Sequence, residues 1–138
     1  MANEFNRPEQ LMTLQFTIAN VGAGTTPVDG VLAGSNGKTG YVVPTGYAFE
    51  PVYIDVKYNA DRTAGSSVVK VTSSGTELAN GPTATIDDDP VNANQGLAVR
   101  SDRVAAGAIV GVSATGDGSF APTTADADVV LQGYLIQV

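Results

Sequence analysis

An all-β fold of about eight short strands, arranged as a sandwich or barrel, follows from three observations on this sequence. Twice a small-residue turn launches an apolar run: Val43-Pro44-Thr45-Gly46-Tyr47, and Val104-Ala105-Ala106-Gly107 ahead of Ile109-Val110-Gly111-Val112. Several segments alternate apolar and polar residues with a period of two, the signature of a strand with one face buried. Sixteen Gly and seven Pro among 138 residues leave few stretches long enough for a helix. Hydrophobic residues make up 43 % of the chain, enough to build a core. The length suits one domain, residues 11–138, preceded by a polar arm over residues 1–10.

Taken in order, the first strand spans Leu11 to Ile18, with Met12, Leu14, Phe16 and Ile18 on one face and Thr13, Gln15 and Thr17 on the other. Val21 to Gly40 reads as a long connection with turn signals at Asp29-Gly30 and Asn36-Gly37 and a short strand near Val31-Leu32. Tyr41 to Val43 opens the next strand, turned by Pro44-Thr45-Gly46. Val52, Ile54, Val56 and Tyr58 then alternate against Tyr53, Asp55 and Lys57, and Pro51 fits a strand start or an edge. A loop from Asn59 to Gly65 feeds Ser67–Thr72, where Val69 and Val71 oppose Lys70 and Thr72. Glu77 to Ile86 holds two short strands around Asn80-Gly81-Pro82, and Asp87-Asp88-Asp89-Pro90 breaks the pattern before a polar loop, Val91 to Gln95. Leu97 to Ala106 has helical spacing at Leu97, Arg100 and Val104, but Val99 and Gly107 fit a strand and turn as well. Ile109–Ala114 and Val129–Val138 complete the set. The last run is apolar on both faces, with Val129, Leu131 and Leu135 against Val130, Tyr134, Ile136 and Val138. Such a strand needs cover on both sides, from a loop or from a neighbouring subunit.

Composition narrows the chemistry. The chain has no His and no Cys, so imidazole and thiolate metal ligands, disulfides and a neutral-pH imidazole base are all absent. No nucleophile elbow, P-loop or dinucleotide fingerprint occurs. Fourteen acids against seven bases give a net charge of −7, with no basic cluster for nucleic acid or an anionic membrane. No apolar run reaches the roughly 20 residues of a membrane helix, and the N-terminus lacks the layout of a signal peptide. The expectation is a non-enzymatic protein without cofactors, made in a cytoplasm. Asp87-Asp88-Asp89 with Asn92 and Asn94 has oxygen ligands for Ca²⁺ but not the spacing of an EF-hand loop, and reads as a solvated acidic turn. Asp126 and Asp128 pose the same question more weakly. Among the five tyrosines, Tyr53 is the best-placed platform for a sugar ring, although strand aromatics usually serve packing.

The turns at Val43-Pro44-Thr45-Gly46 and Val104-Ala105-Ala106-Gly107, the loop Asp61-Arg62-Thr63-Ala64-Gly65 and the segment Phe120 to Asp126 before the closing strand set the pattern of roughly residues 40–138. In that pattern the chain resembles the small jelly-roll head decoration (cement) proteins of tailed bacteriophages. The resemblance implies a two-sheet Greek-key sandwich, commonly a homotrimer, seated on the major capsid protein lattice at the surface of the phage head. Similar turns occur in jelly-roll modules of phage tails, fibres and head spikes, which bind a host glycan or attach another virion protein. On this reading the contact residues toward capsid or subunit are Phe5 and Arg7 in the arm and Val130, Tyr134, Ile136 and Val138 in the last strand, with Tyr53 as the glycan candidate.

Overall fold

The computed structural model describes residues 9–21, 24–87, 93–98 and 100–138. The alternation of the first strand is realised in β1 (Glu9–Ile18), which buries Leu14, Phe16 and Ile18. It runs antiparallel to β11 (Ala127–Gln137) along its whole length, from Glu9 opposite Ile136 to Ile18 opposite Ala127. On its other side β11 pairs with β5 (Tyr47–Tyr58), and β5 pairs with β9 (Ala93–Leu97). With β3 (Val31–Leu32) beside the end of β1, the first sheet has the order β3-β1-β11-β5-β9. The second sheet is centred on β10 (Ile109–Gly116) and β6 (Ser67–Ser73). Short strands flank this pair. β2 (Val28–Asp29) and β4 (Tyr41–Val42) lie on β10, and β7 (Thr76–Glu77) and β8 (Thr83–Ile86) lie on β6.

The pairings nest. β1 pairs with β11, β2 with β10, β5 with β9 and β6 with β8, so the chain is a long antiparallel ribbon rolled onto itself. Adding the β11–β5 and β10–β6 ladders closes two Greek keys, which is the jelly-roll arrangement. Eight strands make up this ribbon, with β3 continuing β2 across Gly30. The Gly30 amide donates to Val112 O at 2.9 Å in the second sheet, while Val31 and Leu32 already pair with Thr17 and Phe16 in the first.

The core lies between the sheets and includes Phe16, Ile54, Val56, Tyr58, Val69, Val71, Val112, Phe120 and Leu131. Each fully buried side chain of this size contributes about 1.5–3 kcal/mol. Tyr58 meets Phe120 edge to face, with centroids 5.6 Å apart and planes at 81°, and its hydroxyl lies 2.6 Å from Ser67 Oγ. A bulge reshapes β5. Gln132 faces Tyr53 but Gly133 faces Pro51, which leaves Val52 as the extra residue. The slip switches the inward positions of β5 from Ile54, Val56 and Tyr58 to Phe49, while β11 keeps its phase through Val129, Leu131 and Leu135.

Three boundaries differ from the sequence reading. Glu9 and Gln10, expected in the arm, already belong to β1, because the β11 ladder extends to them. Part of the expected polar loop over 91–95 is strand β9. Its inward positions are Asn94 and Gly96, so it shows no hydrophobic alternation. The helical alternative from Leu97 to Ala106 is not adopted: Leu97 ends β9, and Val104 bridges Phe49 through paired backbone hydrogen bonds of 2.8 and 2.9 Å. Only Val104 of the three spaced residues is buried, so no helical face had a core to meet. The arm residues Phe5 and Arg7 lie outside the described residues, as do Asp88, Asp89 and Asn92.

Candidate interaction surface

Strand register decides which residues share the outer face of the five-stranded sheet. Leu11 stands across from Tyr134, and Tyr134 across from Glu50. The next outward row is Thr13, Gln132, Tyr53 and Leu97, and the one after it Gln15, Val130, Asp55 and Gln95. Val31, Thr17, Asp128 and Lys57 follow. On this face Leu11 is 54 % exposed, Val31 43 %, Leu97 80 % and Tyr134 40 %, with Val130 and Tyr53 half-buried among them. Exposed apolar residues gathered on one sheet face make it the candidate interaction surface. Polar residues stand between its members, and the Gln132 amide donates to the Thr13 hydroxyl at 3.3 Å.

The structure therefore joins two expectations that the sequence kept apart. Val130 and Tyr134, expected in a capsid or subunit contact, share the face with Tyr53, expected to meet a glycan. Ile136 points to the same side but is buried beside Ala48, so it offers little surface. Val138 lies past the end of β11, is exposed, and donates its amide to Gly46 O at 2.9 Å. Leu11, Val31 and Leu97 were missed. The signal for Leu11 was its place out of phase with Met12, Leu14 and Phe16, which puts an apolar residue on the outward side.

The acidic residues have local work. Asp117 Oδ2 accepts the Ser66 amide at 3.0 Å and Oδ1 the Ser119 amide at 2.9 Å, tying the β10–β11 loop to the start of β6. Asp102 accepts the Asn80 amide, and Asp126 accepts the Asn20 amide. Asn94, one of the oxygen ligands considered for Ca²⁺, is turned to β8: its amide donates to Thr85 O at 2.7 Å, and its oxygen accepts from Gln95. No cluster of three acids able to hold a metal occurs among the described residues. Asp128 faces outward opposite Lys57. On the outer face of the second sheet a depression of about 350 Å³ holds the Lys70–Glu77 ion pair, 3.3 Å apart. Glu77 also accepts the hydroxyls of Ser113 and Thr115, each at 3.4 Å.

The hydrogen bonds from Ser119 and Ser66 hold the Asp117 carboxyl below its ordinary value of 3.8. A lowered carboxyl stabilises the fold above its unfolded value and loses that contribution as pH falls through the folded one. Asp117→Asn is accordingly expected to lower the urea midpoint at neutral pH and to flatten its dependence on pH below that ordinary value, so that the variant and the wild type converge in acid.

No protein-family model matches the chain, and no curated protein matches it by sequence. Among solved structures, a chain from the "acidic stable capsid structure of Helicobacter pylori bacteriophage KHP30" is similar, with a TM-score of 0.48 and 11 % identity. The match covers 95 % of this chain and 98 % of that one.

Proposed function

We propose that this chain is a structural virion protein, a decoration protein that binds and stabilises the assembled head of a phage. The observation that carries the reading is the outer face of the five-stranded sheet, where Leu11, Tyr134 and Leu97 stand exposed on a rigid jelly-roll layer. The charge balance supports it too, since seven excess negative charges suit a protein accumulated in many copies. A protein that binds the assembled shell but not its separate subunits stabilises the shell by mass action. Many weak contacts repeated over a lattice add through multivalency. In this reading Phe5 and Arg7 reach the shell ahead of β1, and the sheet face meets the major capsid protein.

The test uses heads of the encoding phage assembled without this protein. Adding the purified chain is expected to restore stoichiometric binding and to raise the temperature at which the heads release DNA. Deleting residues 1–8 leaves β1 whole and is expected to weaken binding. Tyr134→Thr is expected to reduce binding at least tenfold while lowering the unfolding free energy by no more than about 1 kcal/mol, because the side chain is 40 % exposed and Thr suits a strand. Failure to bind heads, together with localisation to the tail or retention on a host polysaccharide lost in Tyr53→Ala, would overturn decoration in favour of a tail or spike module.

A further inference from the structure

The edges of the two sheets are managed unevenly. In the second sheet the flanking strands β2, β4 and β7 have two residues each and β8 has four. In the first, β9 lies against β8 through the Asn94 amide on Thr85 O. The exception is β1. Its partner on the side away from β11 is β3, which covers only Phe16 and Thr17. From Glu9 to Leu14 no described residue pairs with that side.

Backbone parity shows what this edge offers. Gln15 O accepts the Ala33 amide on the β3 side, so Gln15 points its backbone groups away from β11. Groups alternate along a strand, so the N–H and C=O of Thr13, Leu11 and Glu9 point the same way, toward the uncovered side. Native edges of this length are usually blunted by Lys, Pro or a bulge. Between Glu9 and Ile18 there is no Lys, Arg or Pro, Glu9 is the sole charged residue, and the register with β11 is unbroken.

We propose that β1 pairs antiparallel with β1 of a second copy about a twofold axis at Leu11, joining two five-stranded sheets into one. Three features select this occupant and this register. Side chains stay on their own faces only if the paired residue numbers add to an even number, so the axis must pass through a residue and not between two. An axis at Leu11 makes Leu11–Leu11 and both Glu9–Thr13 pairs hydrogen-bonded ones, which satisfies every outward group from Glu9 to Thr13. An axis at Met12 would instead call on Gln15, whose carbonyl is already taken by Ala33. The Leu11 register also puts two exposed leucines side by side, next to Tyr134 of each copy, and brings no like charges opposite one another. This dimer stands apart from the virion reading, and its twofold axis differs from the threefold that the family resemblance implies.

Sedimentation equilibrium of the full chain at micromolar concentration is expected to give twice the monomer mass. Leu11→Pro removes an N–H that points away from β11, so it leaves the internal ladder intact and is expected to sediment as a folded monomer by circular dichroism. Because the chain has no Cys, Leu11→Cys offers a clean second measurement. Facing residues in such a pair have Cα atoms about 5.5 Å apart, within disulfide range, so Leu11→Cys is expected to oxidise to a covalent dimer while Thr13→Cys stays uncrosslinked. The cross-linking pattern decides the matter even if Leu11→Pro fails to fold. A monomer or trimer mass, a dimer unaffected by Leu11→Pro, or equal cross-linking at positions 11 and 13 would overturn the proposal. So would a full-length monomer that dimerises once residues 1–8 are removed, since the chain's own N-terminal segment would then occupy the edge.

Discussion

Gly133→Ala is expected to destabilise the fold by about 3 kcal/mol, at the upper end of what overpacking costs in a core. The methyl group would overlap the Phe49 ring and the Glu50 carbonyl oxygen at the centre of the β11–β5 ladder. The backbone at Gly133 is not in the left-handed region, so the effect is purely one of space. Gly81→Ala is the control, because its nearest neighbour would be Leu78 at 3.6 Å, an ordinary contact, and a change within about 0.5 kcal/mol is expected. Phe49→Leu should relieve part of the clash, so the penalty of Gly133→Ala in that background is smaller than in the wild type. It does not vanish, because the Glu50 carbonyl stays where the ladder holds it. Urea unfolding of the two single variants and the double variant measures this coupling.

The same glycine shows where the sequence is legible and where it is not. The first strand, the run from Ile54 to Tyr58 and the pair Val69 and Val71 were readable because each buries one face, so period-two alternation survives in the letters. The bulge at Val52 was not readable. It moves the inward phase of β5 from even to odd numbers, and Ala48 and Phe49 then look like an unpatterned apolar pair. β9 was hidden for the opposite reason. Gly96 sits so close to Thr83 that any side chain would meet its backbone, so no hydrophobic residue is there to mark the strand. The outer surface was half legible. Two-sided apolarity in the last strand pointed to Val130 and Tyr134, but Tyr53, Leu97 and Leu11 join them only through register, which depends on pairings far apart in sequence. Asp102 and Asp117 accept backbone amides across their loops, a role that nothing in the period-two pattern marks.

Phe120→Ala is expected to cost about 3–5 kcal/mol, the range for removing a buried aromatic ring. Phe120 lies in the β10–β11 loop, not on a strand, yet it is almost fully buried and packs edge-on against Tyr58. The loop is fixed over the core by Thr63 N donating to Ala121 O at 2.9 Å and Ala121 N donating to Ala64 O at 3.0 Å, so it cannot easily collapse into the space left behind. A second readout separates lost packing from a loosened loop. Burial pushes the Tyr58 phenol above its ordinary value of 10.0, opposed in part by its hydrogen bond with Ser67. A raised acid contributes its full stability below the unfolded value and loses it as pH rises through the folded one. Wild-type stability should therefore fall as pH climbs above that ordinary value. Tyr58→Phe should remove this alkaline decline while costing about 1–3 kcal/mol at neutral pH, because the buried Ser67 hydroxyl loses the phenol it binds. In Phe120→Ala water gains access to the Tyr58 ring, so the phenol should titrate closer to its ordinary value in the folded protein and the alkaline decline should weaken. Urea midpoints at neutral and alkaline pH, read beside the ultraviolet titration of tyrosine, test both effects. A Phe120→Ala variant that lost stability but kept the full alkaline decline would show that the ring fills space without sealing Tyr58 from solvent.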